Sequence, residues 1–216
     1  MTRTLLALAA GALAFGCAHA GALKVTVLDK EGKPVPDAVV VLAPAAPGTP
    51  KPLPTKVTIA QEKMRFVPAV SLVAVGAQGT FVNNDPWEHH VRASAAGFQN
   101  FDAPDAAGFE LRLDGKAPGK PAQSVDARFD KAGAVLLGCH LHASMRAHVY
   151  VSDTPWAMVS GEDGVASFDA VPEGPVRIKV WQADQMLDLP PQQMTLTPAP
   201  ASATMQLQVV PRRRRV

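Results

Sequence analysis

The chain has 216 residues, 47% of them hydrophobic and 19% charged, so it can bury a core for one or two small domains and does not have the composition of a disordered protein. Its net charge is +2, but Arg3 and the run of four arginines at 212–215 lie at the two ends of the chain, which leaves a mildly acidic body. Aromatic and basic residues are not interleaved, so nucleic acid is not expected as a partner.

The first twenty residues are typical of a secretory signal. Arg3 precedes the apolar run LLALAAGALAF, and the stretch ends at Ala20 in an A-x-A cleavage pattern. A lipoprotein signal with Cys17 as the lipidated residue is less favoured, because bulky Phe15 stands where a small residue is usual. No later apolar run has the roughly 20 residues needed to span a bilayer. We therefore expect a periplasmic protein whose signal, residues 1–20, is cleaved and which has no stable membrane insertion.

Short runs of alternating or β-branched residues follow along the rest of the chain, separated by clusters of Gly, Pro, Asp and Asn. In chain order they are LKVTVLD, DAVVVLA, GTFVNN, GAVLLG, AHVYVS, GVASFDAV and GPVRIKVW. Long helical periodicity is hard to find between them. The sequence therefore predicts an all-β protein built of sandwiches.

Two distant segments among these runs resemble parts of one small module, the carboxypeptidase regulatory-like domain. Residues 23–44 resemble its opening hairpin, with a D-x-x-G-x-P turn, and residues 160–181 resemble its later strands, with D-G-x-x-x-F and V-P-x-G signatures. A hairpin alone buries too little surface to be stable. The resemblance therefore implies that both segments belong to one smaller, discontinuous β-sandwich, although two unrelated strand groups stay an alternative.

This interpretation divides the chain into a signal peptide, a split sandwich, an inserted domain and a basic tail. The expected ranges are 1–20 for the signal, 22–55 with 154–210 for the discontinuous sandwich, 56–153 for the inserted domain and 211–216 for the tail. Termini of domains often lie close together, so such an insertion is sterically reasonable.

The segment CHLHASM, residues 139–145, has metal-binding chemistry at close spacing. Once Cys17 is removed, Cys139 is the only thiol in an oxidising compartment, which excludes an internal disulfide and favours a metal-bound thiolate. A type 1 copper site needs two imidazoles, a thiolate and a weak axial thioether, and Cys139, His142 and Met145 supply three of these four. A structural zinc site usually has more cysteines, and a Cys-His hydrolase needs an oxyanion device that the sequence does not show.

The upstream segment FVNNDPWEHHV, residues 81–91, provides the missing imidazole and a resemblance to cupredoxins, especially plastocyanin and amicyanin. In that family the first histidine ligand follows a strand ending in Asn, in the form N-x-x-x-x-x-H-x-V, which Asn83, His89 and Val91 match. The loop around the cysteine has the C-x-x-H-x-x-M spacing of amicyanin. The resemblance covers roughly residues 57–152.

The resemblance implies a cupredoxin Greek-key β-sandwich that binds one type 1 copper ion. Its expected ligands are His89, Cys139, His142 and Met145. One departure from the family pattern is His90, which stands where plastocyanin and amicyanin have Asn, so His90 stays an alternative first ligand. Spacing and strand alternation favour His89, and they leave His140 and His148 as surface histidines.

Four protein ligands leave no open position on the metal, so the resemblance implies electron transfer, and no enzymatic activity is expected. The expected function is that of an exported blue copper protein that carries single electrons between periplasmic redox partners, which would dock around His142 and Trp87. Hydrogen bonds from Asn83, Asn84 or His90 are candidates for tuning the thiolate.

Two functions of other classes stay open. The first is a periplasmic copper carrier or storage protein that binds Cu(I) and releases it to an acceptor. The second is a non-redox binding module based on the regulatory-like sandwich. The whole arrangement also resembles exported proteins often labelled methylamine utilization proteins, a resemblance that names neither an electron donor nor an acceptor.

Overall fold

The computed structural model describes residues 20–96 and 108–212. Within these two ranges the secondary structure consists of strands and no helix, which confirms the predicted all-β class. The strands are β1 (Ala20–Leu28), β2 (Val39–Pro44), β3 (Lys56–Glu62), β4 (Arg65–Val67), β5 (Val70–Ala74), β6 (Ala77–Asn83), β7 (His89–Ala95), β8 (Phe109–Leu113), β9 (Gln123–Phe129), β10 (Gly133–Cys139), β11 (Arg146–Ser152), β12 (Ala157–Val159), β13 (Val165–Pro172), β14 (Gly174–Trp181), β15 (Gln192–Leu196) and β16 (Ala201–Gln206).

Residues 1–19 and 213–216, which hold most of the predicted signal peptide and of the basic tail, lie outside the described residues. A search of the described part of the chain finds no helix with the length and apolar character needed to cross a membrane.

Strands β1, β2 and β12–β16 form a first β-sandwich, here called the outer sandwich. One of its sheets has the order β13-β1-β16 and the other has the order β12-β2-β14-β15. In β14 the apolar Val176, Ile178 and Val180 point into the core and alternate with exposed Arg177 and Lys179. This period of two is the pattern of a strand with one face buried and one face in water.

The two segments predicted to share one module are in direct contact in this sandwich. Val27 N–H donates to the carbonyl of Gly164 (2.8 Å). The hydroxyl of Ser160 accepts from Ala38 N–H (2.9 Å) and donates to the Val35 carbonyl (2.8 Å). Gly164 has φ 73°, and a Cβ there would lie 2.7 Å from the Val27 carbonyl oxygen, so the contact requires glycine. The further identification as a carboxypeptidase regulatory-like domain stays a prediction.

Strands β3–β11 form a second β-sandwich, here called the inner sandwich. Its sheets have the orders β5-β11-β10-β7-β8 and β4-β3-β6-β9. β3 pairs parallel with β6 and β5 pairs parallel with β11, while the other neighbours are antiparallel, so the chain crosses between the two sheets as in a Greek-key sandwich. Phe109 packs between Phe81 and Phe129 in the core, with ring centroids 5.5 Å and 5.9 Å apart.

The register of β7 and β10 determines which residues meet at one end of the inner sandwich. The two strands pair antiparallel, with Cys139 opposite Val91. Alternate residues of β10 are buried, and Cys139 is the last of the buried set. His89, at the start of β7, lies on the same inner face as Val91 because it is two residues away. Strand pairing therefore brings together two residues that are fifty positions apart in the chain.

The two sandwiches touch through an aromatic contact. Trp181, the last residue of β14 in the outer sandwich, packs on His148 and Tyr150 of β11, with ring centroids 5.4 Å and 5.6 Å away. His148, expected as an ordinary surface histidine, is therefore half-buried at this contact.

Candidate metal centre

The loop between β10 and β11 is a short closed turn that holds three of the predicted ligands. Met145 N–H donates to the His142 carbonyl (2.9 Å), and Cys139 N–H donates to the Met145 carbonyl (3.3 Å). Cys139 and Met145 are buried, whereas His142 is half-buried. The turn therefore directs both sulfur side chains into the protein and leaves His142 as the ligand nearest to solvent.

His89, Cys139 and His142 come together as a compact group of potential metal ligands. The Nδ1 atoms of His89 and His142 are 3.1 Å apart. The Cys139 Sγ atom lies 3.7 Å from the first of these nitrogens and 3.5 Å from the second. Two imidazole nitrogens and one sulfur thus form a nearly regular triangle.

The size of this triangle fits one metal ion. A triangle with sides of this length has its centre about 2 Å from each corner, close to the ~2.0–2.3 Å that separate a metal ion from histidine nitrogen and cysteine sulfur. Two imidazoles and a thiolate in a trigonal arrangement with a weak thioether are the donor set of a type 1 copper site. His89, Cys139 and His142 with the buried Met145 therefore form a candidate type 1 copper site.

Asp85 is a residue of this centre that the sequence analysis missed. Its Oδ2 atom lies 3.0 Å from Nε2 of His89, so the other ring nitrogen of His89, Nδ1, is the one directed at the sulfur. The backbone N–H groups of Lys63 and Met64 also donate to the Asp85 carboxylate (2.6 Å and 3.0 Å). The carboxylate thereby joins the turn between β3 and β4 to a ligand ring and determines which nitrogen faces the metal site.

Hydrogen bonding keeps Asp85 ionised despite its burial. Burial alone would raise the pKa of this carboxyl, but hydrogen bonds from Met64 N–H, His89 and Lys63 N–H outweigh that effect and lower the pKa below its ordinary value. The centre therefore contains a carboxylate acceptor for the ring proton of His89. The sequence signal was an Asp four residues before the histidine, but an Asp-Pro loop does not reveal where its side chain points.

Asn83 and Asn84 were predicted as candidates for hydrogen bonds to the thiolate, and their side chains have other surroundings. The amide of Asn83 donates to the backbone carbonyls of Trp87 (2.8 Å), Leu113 (3.1 Å) and Asp114 (2.9 Å), and so it braces the loop before β7. Asn84 is exposed. These contacts give Asn83 a role in positioning the ligand loop.

His90 and His140 lie on the opposite face of the sheet from the triangle, because neighbours in a strand alternate in direction. His90 faces Glu110, with its Nε2 atom 3.1 Å from Oε2, and is therefore placed away from the sulfur of Cys139. His140 is exposed, as expected. Of the two adjacent histidines, His89 is the one brought to Cys139.

Comparison with known proteins gives similarity at the level of structure alone. No protein-family model matches the chain, and no curated protein matches it. Over 52% of the chain it is similar to a Cu-containing nitrite reductase from Thermus scotoductus SA-01, with 23% identity and a TM-score of 0.36. Only 26% of that enzyme is covered, so the chain spans about a quarter of its length.

Two further solved structures are small proteins. An amicyanin from Paracoccus versutus is 22% identical over 51% of this chain and 97% of its own, with a TM-score of 0.34. A Sinorhizobium pseudoazurin is 22% identical over 45% of this chain and 73% of its own, with a TM-score of 0.32. What favours copper in this chain is the arrangement of its own ligand atoms.

Proposed function

We propose that the protein is an exported mononuclear type 1 copper protein that carries single electrons between periplasmic redox partners. The observation that carries the proposal is the compact triangle of His89 Nδ1, Cys139 Sγ and His142 Nδ1, with the buried Met145 on the loop that holds Cys139 and His142. A copper ion held there would supply reversible one-electron oxidation and reduction.

Burial of the ligands favours a carrier of electrons over an enzyme. His89 and Met145 are almost fully buried and Cys139 is nearly so, which leaves His142 as the one ligand of the four that is partly accessible to solvent. Catalysis at a metal requires an open coordination position, and four protein ligands provide none. His89 is anchored by Asp85, and Cys139 is anchored by strand pairing, so these two ligands would be held in place when bound copper is oxidised or reduced.

Redox partners would dock over the exposed edge of the centre. His142 is the half-buried ligand, and the two loops that supply the ligands also carry Trp87 (46% exposed) and Leu141 (47% exposed). A small apolar surface beside a solvent-facing ligand suits brief encounters. Electron self-exchange between copies of the protein, measured by nuclear magnetic resonance, should slow in Leu141→Lys, because like charges then meet across the encounter. An unchanged rate would place the docking surface elsewhere.

The first test is to add one equivalent of Cu(II) to the mature protein and to record visible and electron paramagnetic resonance spectra. We expect an intense thiolate-to-copper band and a narrow copper hyperfine splitting. Both should be absent from Cys139→Ala and unchanged in Ser144→Ala, an exposed position of the same loop. A colourless protein that retains Cu(I) but not Cu(II) would favour the carrier or storage function, and a protein that binds neither would refute the copper site.

Export depends on residues outside the described part of the chain and has its own test. The full chain and a version that lacks residues 1–20 are expressed in a Gram-negative host, and periplasmic and cytoplasmic fractions are compared. We expect only the full chain to reach the periplasm, with a mass that corresponds to cleavage after Ala20. Retention of the full chain in the cytoplasm would contradict export.

A further inference from the structure

His90 is buried on the outer face of the five-stranded sheet with one ring nitrogen unused. The residue as a whole is 8% exposed and its side chain is 11% exposed. Nε2 lies 3.1 Å from Glu110 Oε2, whereas Nδ1 is buried and has no hydrogen-bond partner among the described residues. In the neutral tautomer that donates from Nε2 to the carboxylate, Nδ1 carries a free lone pair.

The same arrangement occurs on the inner face of the sheet. There, His89 donates from Nε2 to the carboxylate of Asp85, and its Nδ1 atom is directed at the candidate copper site. A histidine that gives one nitrogen to a carboxylate and offers the other as a lone pair is oriented as metal-ligating histidines usually are. His90 and Glu110 are therefore arranged as His89 and Asp85 are, but on the opposite face of the sheet.

A second imidazole lies beside His90. His140 N–H donates to the His90 carbonyl (2.8 Å), which extends the β7–β10 ladder and places the two residues side by side. Their ring centroids are 5.5 Å apart. His140 is exposed, so its side chain can change rotamer with little packing lost. Next to it on the same strand face is Gly138, where an added Cβ would meet nothing within 4 Å.

The geometry points to a second metal site in which His90 Nδ1 and the imidazole of His140 bind one divalent transition-metal ion, Zn2+ or Cu2+. Imidazole is a preferred ligand of both ions. Because His90 Nδ1 is buried, a change of rotamer by the exposed His140 ring would admit the ion, and solvent would fill its remaining positions on the His140 side. Glu110 is the positioning residue that orients His90. Arg92, whose Nε atom is 2.8 Å from Glu110 Oε1, holds the other carboxylate oxygen in place.

The second site would lie back to back with the first. His89 and His90 are consecutive, and so are Cys139 and His140. In each of the two strands, one peptide bond therefore connects a ligand of the first site to a ligand of the second. A divalent ion on the outer face would therefore act on the copper centre through a short connection. This link rests on the proposed function, whereas ion binding at His90 and His140 does not.

The test is a calorimetric titration with Zn2+ of two preparations, the mature protein already loaded with one equivalent of copper and the Cys139→Ala variant. We expect each to bind one Zn2+ that depends on His140; Zn2+ held by His89 and His142 in the variant is the part that His140→Ala leaves unchanged. His140→Ala should weaken binding by about 100-fold or more, and Glu110→Gln by about 10-fold, as when an outer partner of a ligand is lost. Glu31→Gln is the matched control, since Glu31 forms an exposed pair with Lys33 (2.8 Å) in the outer sandwich, and it should change nothing.

The two preparations separate failure of this site from failure of the copper site. If copper loading fails, the Cys139→Ala titration still reports on His90 and His140. Absence of Zn2+ uptake in that variant, or uptake equal in His140→Ala, would overturn the second site. Anomalous diffraction at the zinc edge gives an independent position, and a peak away from the two rings would likewise overturn it.

Discussion

At the scale of single residues, Asp85 decides how the candidate centre is oriented. Its carboxylate accepts hydrogen bonds from the N–H groups of Lys63 and Met64, which lie in one turn. Both residues have positive φ (51° and 60°), a conformation that non-glycine residues seldom adopt. The turn directs its two N–H groups at one anion, and the same anion accepts the ring proton of His89. A surface hairpin is thereby connected to a ligand of the metal centre.

Asp85→Asn tests this role. An amide oxygen cannot replace a carboxylate that serves three donors, so the ring of His89 should lose its orientation, and copper affinity should fall by about 10–100-fold. Competition with a copper chelator measures the change, and Asn84→Ala, at the exposed neighbouring position, is the control. An affinity equal to that of the unchanged protein would show that the sandwich alone orients His89.

At the scale of secondary-structure elements, the outer sandwich depends on contacts between strands that are far apart in the sequence. β1 lies between β13 and β16, and β2 lies between β12 and β14. Ser160, just after β12, accepts from Ala38 N–H and donates to the Val35 carbonyl, so one buried hydroxyl satisfies two backbone groups of the opening hairpin. Buried backbone groups without a partner are costly, which makes this hydroxyl structurally important.

Ser160→Ala should lower the free energy of unfolding by about 1–3 kcal/mol, because the Ala38 N–H loses its acceptor while it stays buried. Urea denaturation followed by tryptophan fluorescence measures the loss, since Trp156 and Trp181 both lie in the outer sandwich. Ser167→Ala, exposed on β13, should change the stability by less than about 0.5 kcal/mol. Equal effects of the two substitutions would contradict the role of the buried hydroxyl.

Prediction from the sequence succeeded where the signal was local. Alternation identified most long strands, and the spacing of Cys139, His142 and Met145 marked the ligand loop. β16 was missed because its sequence ASATMQ is largely polar or small and becomes a strand only by pairing with β1. Asp85 and Glu110 were missed for a related reason, since loop conformation and strand register decide which ring each carboxylate meets.

At the scale of the whole molecule, the two sandwiches meet at Trp181, which packs on His148 and Tyr150. Burial raises the pKa of Tyr150 above its ordinary value of 10.0, and the carboxylates of Asp153 and Asp188 raise it further. The neutral phenol is therefore favoured by the folded protein. Contacts of a neutral group at an interface become unfavourable when that group acquires a charge.

The raised pKa makes stability depend on pH in alkaline solution. Below pH of about 10 Tyr150 is neutral in both folded and unfolded chains, so its contribution to stability is fully present. As the pH rises through the folded-state pKa, that contribution is lost. Tyr150 is the single tyrosine of the chain, so the ultraviolet absorbance of tyrosinate reports it alone. Tyr150→Phe should remove this part of the pH dependence, and a titration at the ordinary pKa would contradict the burial of the phenol.

The pairing of β1 also determines an order of assembly during synthesis. When β1 and β2 leave the ribosome, their principal partners β12–β16 are more than a hundred residues from being made, whereas all strands of the inner sandwich follow in one uninterrupted stretch. The inner sandwich can therefore close while β1 still has open edges on both sides. Unpaired strand edges attract other chains. The nascent protein thus has a period in which the amino-terminal strands need to be kept apart from other copies, and that period ends only when β16 arrives.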